Sequence, residues 1–173
     1  MTSATASSST SRVASRILIA ALAVAGAAAS AEAPKPFDPV AFFTGPTQGK
    51  GVLKELVGKE KRALVQSFGR VGDDGWLTLD QKVAIEGEPL RQRRWRLKQV
   101  SPGKFSGSIN DAKGPVEAEI VGQSVRIHYK MKNNLKVEQT LTPVSGGRAL
   151  DNRTTFSRWG VKVATLTERI DKR

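Results

Sequence analysis

Apolar and polar side chains alternate with a period of two along most of the chain, and turn residues interrupt the alternation at regular intervals. Val125, Ile127, Tyr129 and Met131 alternate with Arg126, His128, Lys130 and Lys132. Val116, Ala118 and Ile120 alternate with Glu117 and Glu119, while Leu77, Leu79, Val83 and Ile85 lie opposite Thr78, Asp80 and Lys82. Successive side chains of a strand point to opposite faces, so each run reads as a half-buried strand with one wet face. The punctuation falls at GDDG 72–75, EGEP 86–89, SPGK 101–104, NDAKGP 110–115, GQS 122–124, KNN 132–134 and SGG 145–147. Its spacing of roughly ten residues is that of an antiparallel meander or barrel.

The pattern predicts nine or ten strands, at 50–56, 62–70, 75–85, 90–99, 104–110, 116–121, 124–131, 135–143, 148–157 and 161–170. No stretch beyond residue 32 supports a long amphipathic helix, although 38–44 can form a single helical turn beside Phe42 and Phe43. The fold class expected is all-β, an antiparallel up-and-down arrangement. A meander leaves two unpaired edges, and closure into a barrel removes both. With about eight to ten strands the interior holds side chains and at most one small ligand.

The first residues follow a different rule. Residues 2–15 are rich in Ser, Thr and Ala, with Arg12 and Arg16 the nearest charges, and the apolar run ILIAALAVAGAAA occupies 17–29. Ala29-Ser30-Ala31 then supplies a small-x-small cleavage site. Together these are the parts of a secretory signal peptide, and the run is too short to span a bilayer comfortably. The expected organisation is a signal peptide over 1–31, a proline-broken flexible lead-in over 32–41 and a single β-barrel domain over 42–173. The chain is then exported, periplasmic or secreted, and soluble. It has no cysteine, so it has neither the lipid-attachment residue of a lipoprotein nor a disulfide to support the fold.

Charge narrows the partners. The net charge is +12 for the whole chain, and +10 once Arg12 and Arg16 are set aside with the leader. That balance favours anionic partners such as an envelope surface, and export makes nucleic acid the least favoured of them. The ten aromatics, one Tyr, three Trp and six Phe, do not interleave with the basic residues as in a single-strand binder.

Enzyme signatures are missing. The single His, His128, shares a strand face with Arg126 and Lys130 and has no sequence-adjacent carboxylate to orient it. One His and no Cys leave the common zinc sites without ligands, and no phosphate loop or nucleophile elbow occurs. Asp73, Asp74, Glu86 and Glu88 lie in turns, where acidic residues usually bond the local backbone. No catalytic residue, metal or cofactor is expected.

The hairpin GWLTLDQKVAIEGEPLRQRRWRL, 75–97, carries more information. If Trp95 and Leu97 point inward, Arg93 shares their face, and an unpaired inward charge would be costly. Arg93 must then meet a carboxylate, a carbonyl or an aromatic face: either it stacks on a tryptophan or closes the barrel floor, or it anchors an anionic ligand head. Arg94, Arg96 and Lys98 face outward, and with Arg126 and Lys130 they form a basic surface patch if the two strands lie near one another. Leu150, Asn152, Thr154 and Phe156 share a face, so Asn152 either pins a neighbouring strand or supplies a polar point in an apolar pocket. Tyr129 is inward by parity, and Trp76 and Trp159 are expected to act as packing plugs at turn edges.

GDDGWLTLDQ (72–81), EGE (86–88), RRW (93–95), FSGSINDAKG (105–114), GQSVRIHY (122–129) and DNRTTFSRWGV (151–161) occur in an order that resembles a bacterial family known as domain of unknown function 3833. The resemblance covers about residues 42–170 and implies an exported protein with a lipocalin-like (calycin-like) barrel. The chain departs from the family pattern at two points: it lacks the lipidated cysteine of many members, and VEQTLTPV (137–144) stands where many carry an Asp-Asp-Trp strand. The family brings no established chemistry. The functional expectation is a lipocalin-like barrel binding a small amphipathic or anionic ligand such as a lipid or fatty acid, with Arg93, Trp95, Tyr129 and Asn152 as its anchors. The alternative is a non-catalytic envelope-associated protein with a filled barrel and a working basic outer face.

Overall fold

A computed structural model describes residues 37–144 and 146–173; the expected signal peptide and the lead-in up to residue 36 lie outside the described residues. Ten antiparallel strands follow one short helix, α1 (Pro39–Phe43). They are β1 (Gly45–Glu55), β2 (Lys61–Val71), β3 (Leu77–Ile85), β4 (Arg91–Ser101), β5 (Lys104–Ile109), β6 (Val116–Val121), β7 (Ser124–Lys130), β8 (Lys136–Pro143), β9 (Ala149–Arg158) and β10 (Val161–Lys172). Each strand pairs with its sequence neighbours, and β1 pairs with β10 from Thr47↔Lys172 to Glu55↔Ala164, which closes the barrel. Every predicted strand is present. β1 differs most: it starts five residues before the predicted 50, because Gly45–Gln48 pair with β2 despite Pro46.

Closure puts the apolar face of each strand inside. Leu79, Trp95, Phe105, Ile109, Val116, Val125, Ile127, Tyr129, Val137, Leu141 and Leu150 form one continuous buried cluster. The outward faces carry Arg, Lys and Glu, as in the exposed Arg94, Arg96, Glu117, Arg126 and Lys130. An apolar interior beneath a charged exterior is the inverse of a lipid-embedded barrel. Among the described residues no helix is long and apolar enough to cross a membrane.

α1 begins within the lead-in, ahead of the expected boundary at residue 42. Asp38 caps it, its Oδ1 accepting from Val40 N at 2.9 Å and Ala41 N at 3.1 Å, and Pro39 supplies the preset φ of a first turn. The helix tucks Phe42 into the core, with Phe37 and Phe43 packed against it. Lys172 clamps its far end, Nζ donating to the carbonyls of Ala41, Phe42 and Thr44 at 2.7, 2.9 and 2.9 Å. The seat for this segment is Gly69: a Cβ there would stand 1.9 Å from Phe43 O. Gly69→Ala is expected to lift α1 off β2 at a cost of about 1–2 kcal/mol, read as a lower urea midpoint. Unchanged stability would show that the helix does not brace the barrel.

Candidate functional site

The barrel interior is not completely filled. A cavity of about 100 Å³ runs between the strands, bordered by Leu79, Val83, Ile127, Leu141, Leu166 and Ile170 and closed on the helix side by Phe43. Polar side chains also reach it: Ser67, Gln81, Arg93, Tyr129, Gln139, Asn152, Thr154 and Glu168. A space of this size holds several waters or a small organic group, and is well below the roughly 300–1,000 Å³ of drug-sized ligand sites.

All four expected anchors, Arg93, Trp95, Tyr129 and Asn152, line this cavity. β4 turns Arg93, Trp95 and Leu97 inward together, as the parity of the strand requires. Trp95 is buried, stands edge-on to the Tyr129 ring at 5.5 Å and donates Nε1 to Gln81 Oε1 at 2.6 Å. Gln81 passes the chain on, its Nε2 donating to Ser67 Oγ at 3.1 Å. Three strands, β2, β3 and β4, are thus tied from within.

Arg93 neither stacks on tryptophan nor remains free. Its Nε lies 2.8 Å from Asp111 Oδ2, a carboxylate delivered by the β5–β6 loop. Among the described residues, Nε and the second oxygen, Asp111 Oδ1, are both buried without a hydrogen-bond partner, so the contact is a close charge pair off the N–H line. The two charges sit beside the Tyr129 hydroxyl. Burial raises that hydroxyl's pKa first, Arg93 pulls it back, and Asp111 pushes it up again. The outcome is a neutral phenol next to a compensated ion pair with spare hydrogen-bonding capacity.

A second polar group lies on β9 and β10. Asn152 Nδ2 donates to Glu168 Oε2 at 2.8 Å, and Asn152 Oδ1 accepts from Thr154 Oγ1 at 3.3 Å. Asn152 ties β9 to β10 through Glu168 and also borders the cavity. Glu168 is only 6% exposed, and among the described residues it has no cation beside it and its Oε1 has no partner. Desolvation raises its pKa, opposed only by the bond from Asn152. Gly49 makes the room, since a Cβ there would fall 1.7 Å from Glu168 Oε1. Gln81, Gln139 and Glu168 were not singled out in the sequence, yet each occupies a dry-face position of its strand. Among the described residues no three His, Cys, Asp or Glu side chains converge to hold a metal.

Outside the barrel the basic patch divides. β5 and β6 lie between β4 and β7, so Arg94, Arg96 and Lys98 are separated from Arg126 and Lys130, with Glu117 and Glu119 of β6 in between. Arg94 is bonded to Asp80 at 2.5 Å, and Arg96 lies 3.6 Å from Asp74 with its guanidinium 4.9 Å from the Trp76 ring. Two strands and their carboxylates therefore separate the two halves of the expected patch. His128 does have a carboxylate, across the sheet: Nε2 is 2.8 Å from Glu117 Oε2, with both side chains exposed. Asp74 makes the expected turn bond, accepting from Trp76 N at 3.1 Å. Glu86 and Glu88 instead reach across to Arg62 and to Lys61 and Arg91. Trp159 is no plug: it is 93% exposed at the tip of the β9–β10 hairpin.

The profile of the family described as "Protein of unknown function (DUF3833)" matches residues 17–172. No curated protein matches the sequence. Among solved structures the barrel is similar to the S-type phycobiliprotein lyase CPES from Guillardia theta, with a TM-score of 0.60 at 8% identity, over 78% of this chain and 89% of that one. At that identity the likeness carries the fold, a lipocalin-like barrel, and not the lyase's activity.

Proposed function

We propose that this chain, which belongs to the DUF3833 family, is a non-catalytic, exported barrel that takes up a small amphipathic molecule. One observation carries the reading: a mostly apolar cavity is bordered by buried polar groups with unused hydrogen-bonding capacity, at Arg93, beside Asp111, and at Glu168. The apolar body of the ligand would lie against Leu79, Trp95 and Ile127, and its polar end would meet Arg93, Asp111 and Tyr129. Because Asp111 already neutralises Arg93, a polar or zwitterionic head fits better than a bare carboxylate, which must displace Asp111. The half-buried Leu97, Phe156 and Leu166 also line the cavity, and a long acyl chain would need more room than its present volume gives.

Native mass spectrometry of the chain mixed with short monoacylglycerols, lysophospholipids and free fatty acids tests this. Neutral and zwitterionic amphiphiles are expected to bind more tightly than fatty acids of equal length. The double variant Arg93→Gln/Asp111→Asn leaves no lone charge behind, and should weaken that binding about tenfold, the effect of roughly 1.4 kcal/mol. Failure of every amphiphile to bind would favour the alternative, a barrel filled by its own side chains that acts through its outer surface. The small cavity is the observation on that side.

A further inference from the structure

The strands end in two rings of turns, and the ring opposite α1 has an unusual surface. The β9–β10 hairpin turns on two residues, Trp159 and Gly160, both at positive φ, 50° and 81°. Such a turn favours Asn-Gly or Gly-Gly, and a bulky residue there is rare. Trp159 does nothing for the turn that a smaller residue would not do, and it is 93% exposed. It is not alone. Val161 of the same hairpin is 58% exposed, and in the neighbouring β1–β2 loop Leu56 and Val57 are 70% and 85% exposed. Leu56 N donates to Val163 O at 2.8 Å, which holds that loop against the hairpin.

Cations surround this apolar tip. Arg158, Lys162, Lys59 and Lys132 come from the hairpin itself and the loops on either side of it, and none has a carboxylate within 4.0 Å among the described residues. Arg158 lies 5.9 Å over the Trp159 ring and donates Nη2 to Asn133 O at 3.2 Å, so the β7–β8 and β9–β10 turns act as one surface. A protruding Trp with aliphatic neighbours and a surround of unpaired Lys and Arg has the composition of an interfacial membrane anchor.

We propose that this end of the barrel docks on an anionic phospholipid bilayer, with Trp159, Leu56 and Val57 entering the headgroup boundary and the four cations meeting lipid phosphates. The contact is peripheral and is independent of what the cavity holds.

The test uses full-length chain and vesicles of phosphatidylglycerol with brominated acyl chains, which quench a tryptophan only where it enters the bilayer. Trp95 is buried in the core and Trp76 sits in the β2–β3 turn at the other end, so quenching assigned to Trp159 reports on the tip even if another segment also holds the chain to the vesicle. Strong quenching is expected with phosphatidylglycerol. It should fall several-fold with phosphatidylcholine or at raised salt, and Trp159→Phe should abolish it. Replacing Lys59, Lys132 and Lys162 by Gln should weaken the phosphatidylglycerol signal at least tenfold with the melting temperature unchanged. Quenching that is absent, equal on both lipids, or retained in Trp159→Phe would overturn the proposal. So would lipid-free dimerisation that Trp159→Phe abolishes, since the tip would then bind a second copy.

Discussion

Trp95→Ala is expected to destabilise the protein by about 3–5 kcal/mol, the range for removing a large buried aromatic. The loss has three parts, all at one position. Trp95 fills the centre of the barrel at 6% exposure, packs edge-on against Tyr129 and donates its indole N–H to Gln81. Removing it enlarges an existing cavity in a closed wall of ten strands that cannot collapse inward without breaking register. Trp95→Phe separates the parts: it keeps most of the bulk and leaves Gln81 Oε1 unpaired, at a cost of about 1–2 kcal/mol. Urea unfolding measures both, and the order Ala well below Phe well below wild type is the expected result. The hole in Trp95→Ala has the shape of the ring that left it, so added indole should restore part of the loss through binding to the folded state alone. Equal effects of Ala and Phe would mean that the hydrogen bond dominates and the packing counts for little.

Trp95 was legible in the sequence because it shares a strand face with Leu97, opposite Arg94, Arg96 and Lys98, and the ten strands were legible from the same period. Period-two patterning and turn residues are local signals, and a meander needs little else to specify its topology. The same reasoning, carried further, puts two strands, β5 and β6, between β4 and β7, because an up-and-down order leaves no freedom for them to touch. It also exposes Trp159, since a two-residue hairpin turn puts both of its side chains beyond the sheet. Gln81 and Glu168 had a visible signal: each is the single polar residue in an otherwise dry series, Leu77-Leu79-Gln81-Val83 and Leu166-Glu168-Ile170. A polar residue on a dry face is more informative than the apolar ones around it, because it must find a partner or a function. Asp111 is a different case. It sits in a loop, where alternation ceases, and nothing in the sequence aims its carboxylate back at Arg93 from eighteen positions away. The anchors could be read one by one; the neutralisation that sets their ligand preference could not.

Glu168 supplies the second large effect, through pH. Its carboxyl is buried beside Asn152 with no cation, and burial raises its pKa above the ordinary 4.5. In the unfolded chain the group titrates near that ordinary value, so above it the folded state holds a proton that the unfolded state has released. Stability from this group is therefore complete at acid pH, declines as pH rises from about 4.5, and levels off once the folded carboxyl ionises. The carboxylates held by cations, half-buried Asp80 by Arg94 and exposed Glu86 by Arg62, are shifted downward and act oppositely, at pH values below their ordinary ones. Glu168→Gln removes the ionisation and keeps an oxygen to accept from Asn152 Nδ2. The variant is expected to match wild type in acid and to exceed it on the alkaline side, where the wild-type carboxyl must ionise in a buried site. Urea midpoints of both proteins across that range measure the difference directly. Parallel curves for the two proteins would show that the carboxyl is solvated in the folded state and that the cavity admits water freely, which removes Glu168 from the ligand site. Diverging curves would place a neutral acid in the barrel under acid conditions, a hydrogen-bond donor for the polar end of an incoming molecule, and an anion once it ionises that repels a second one.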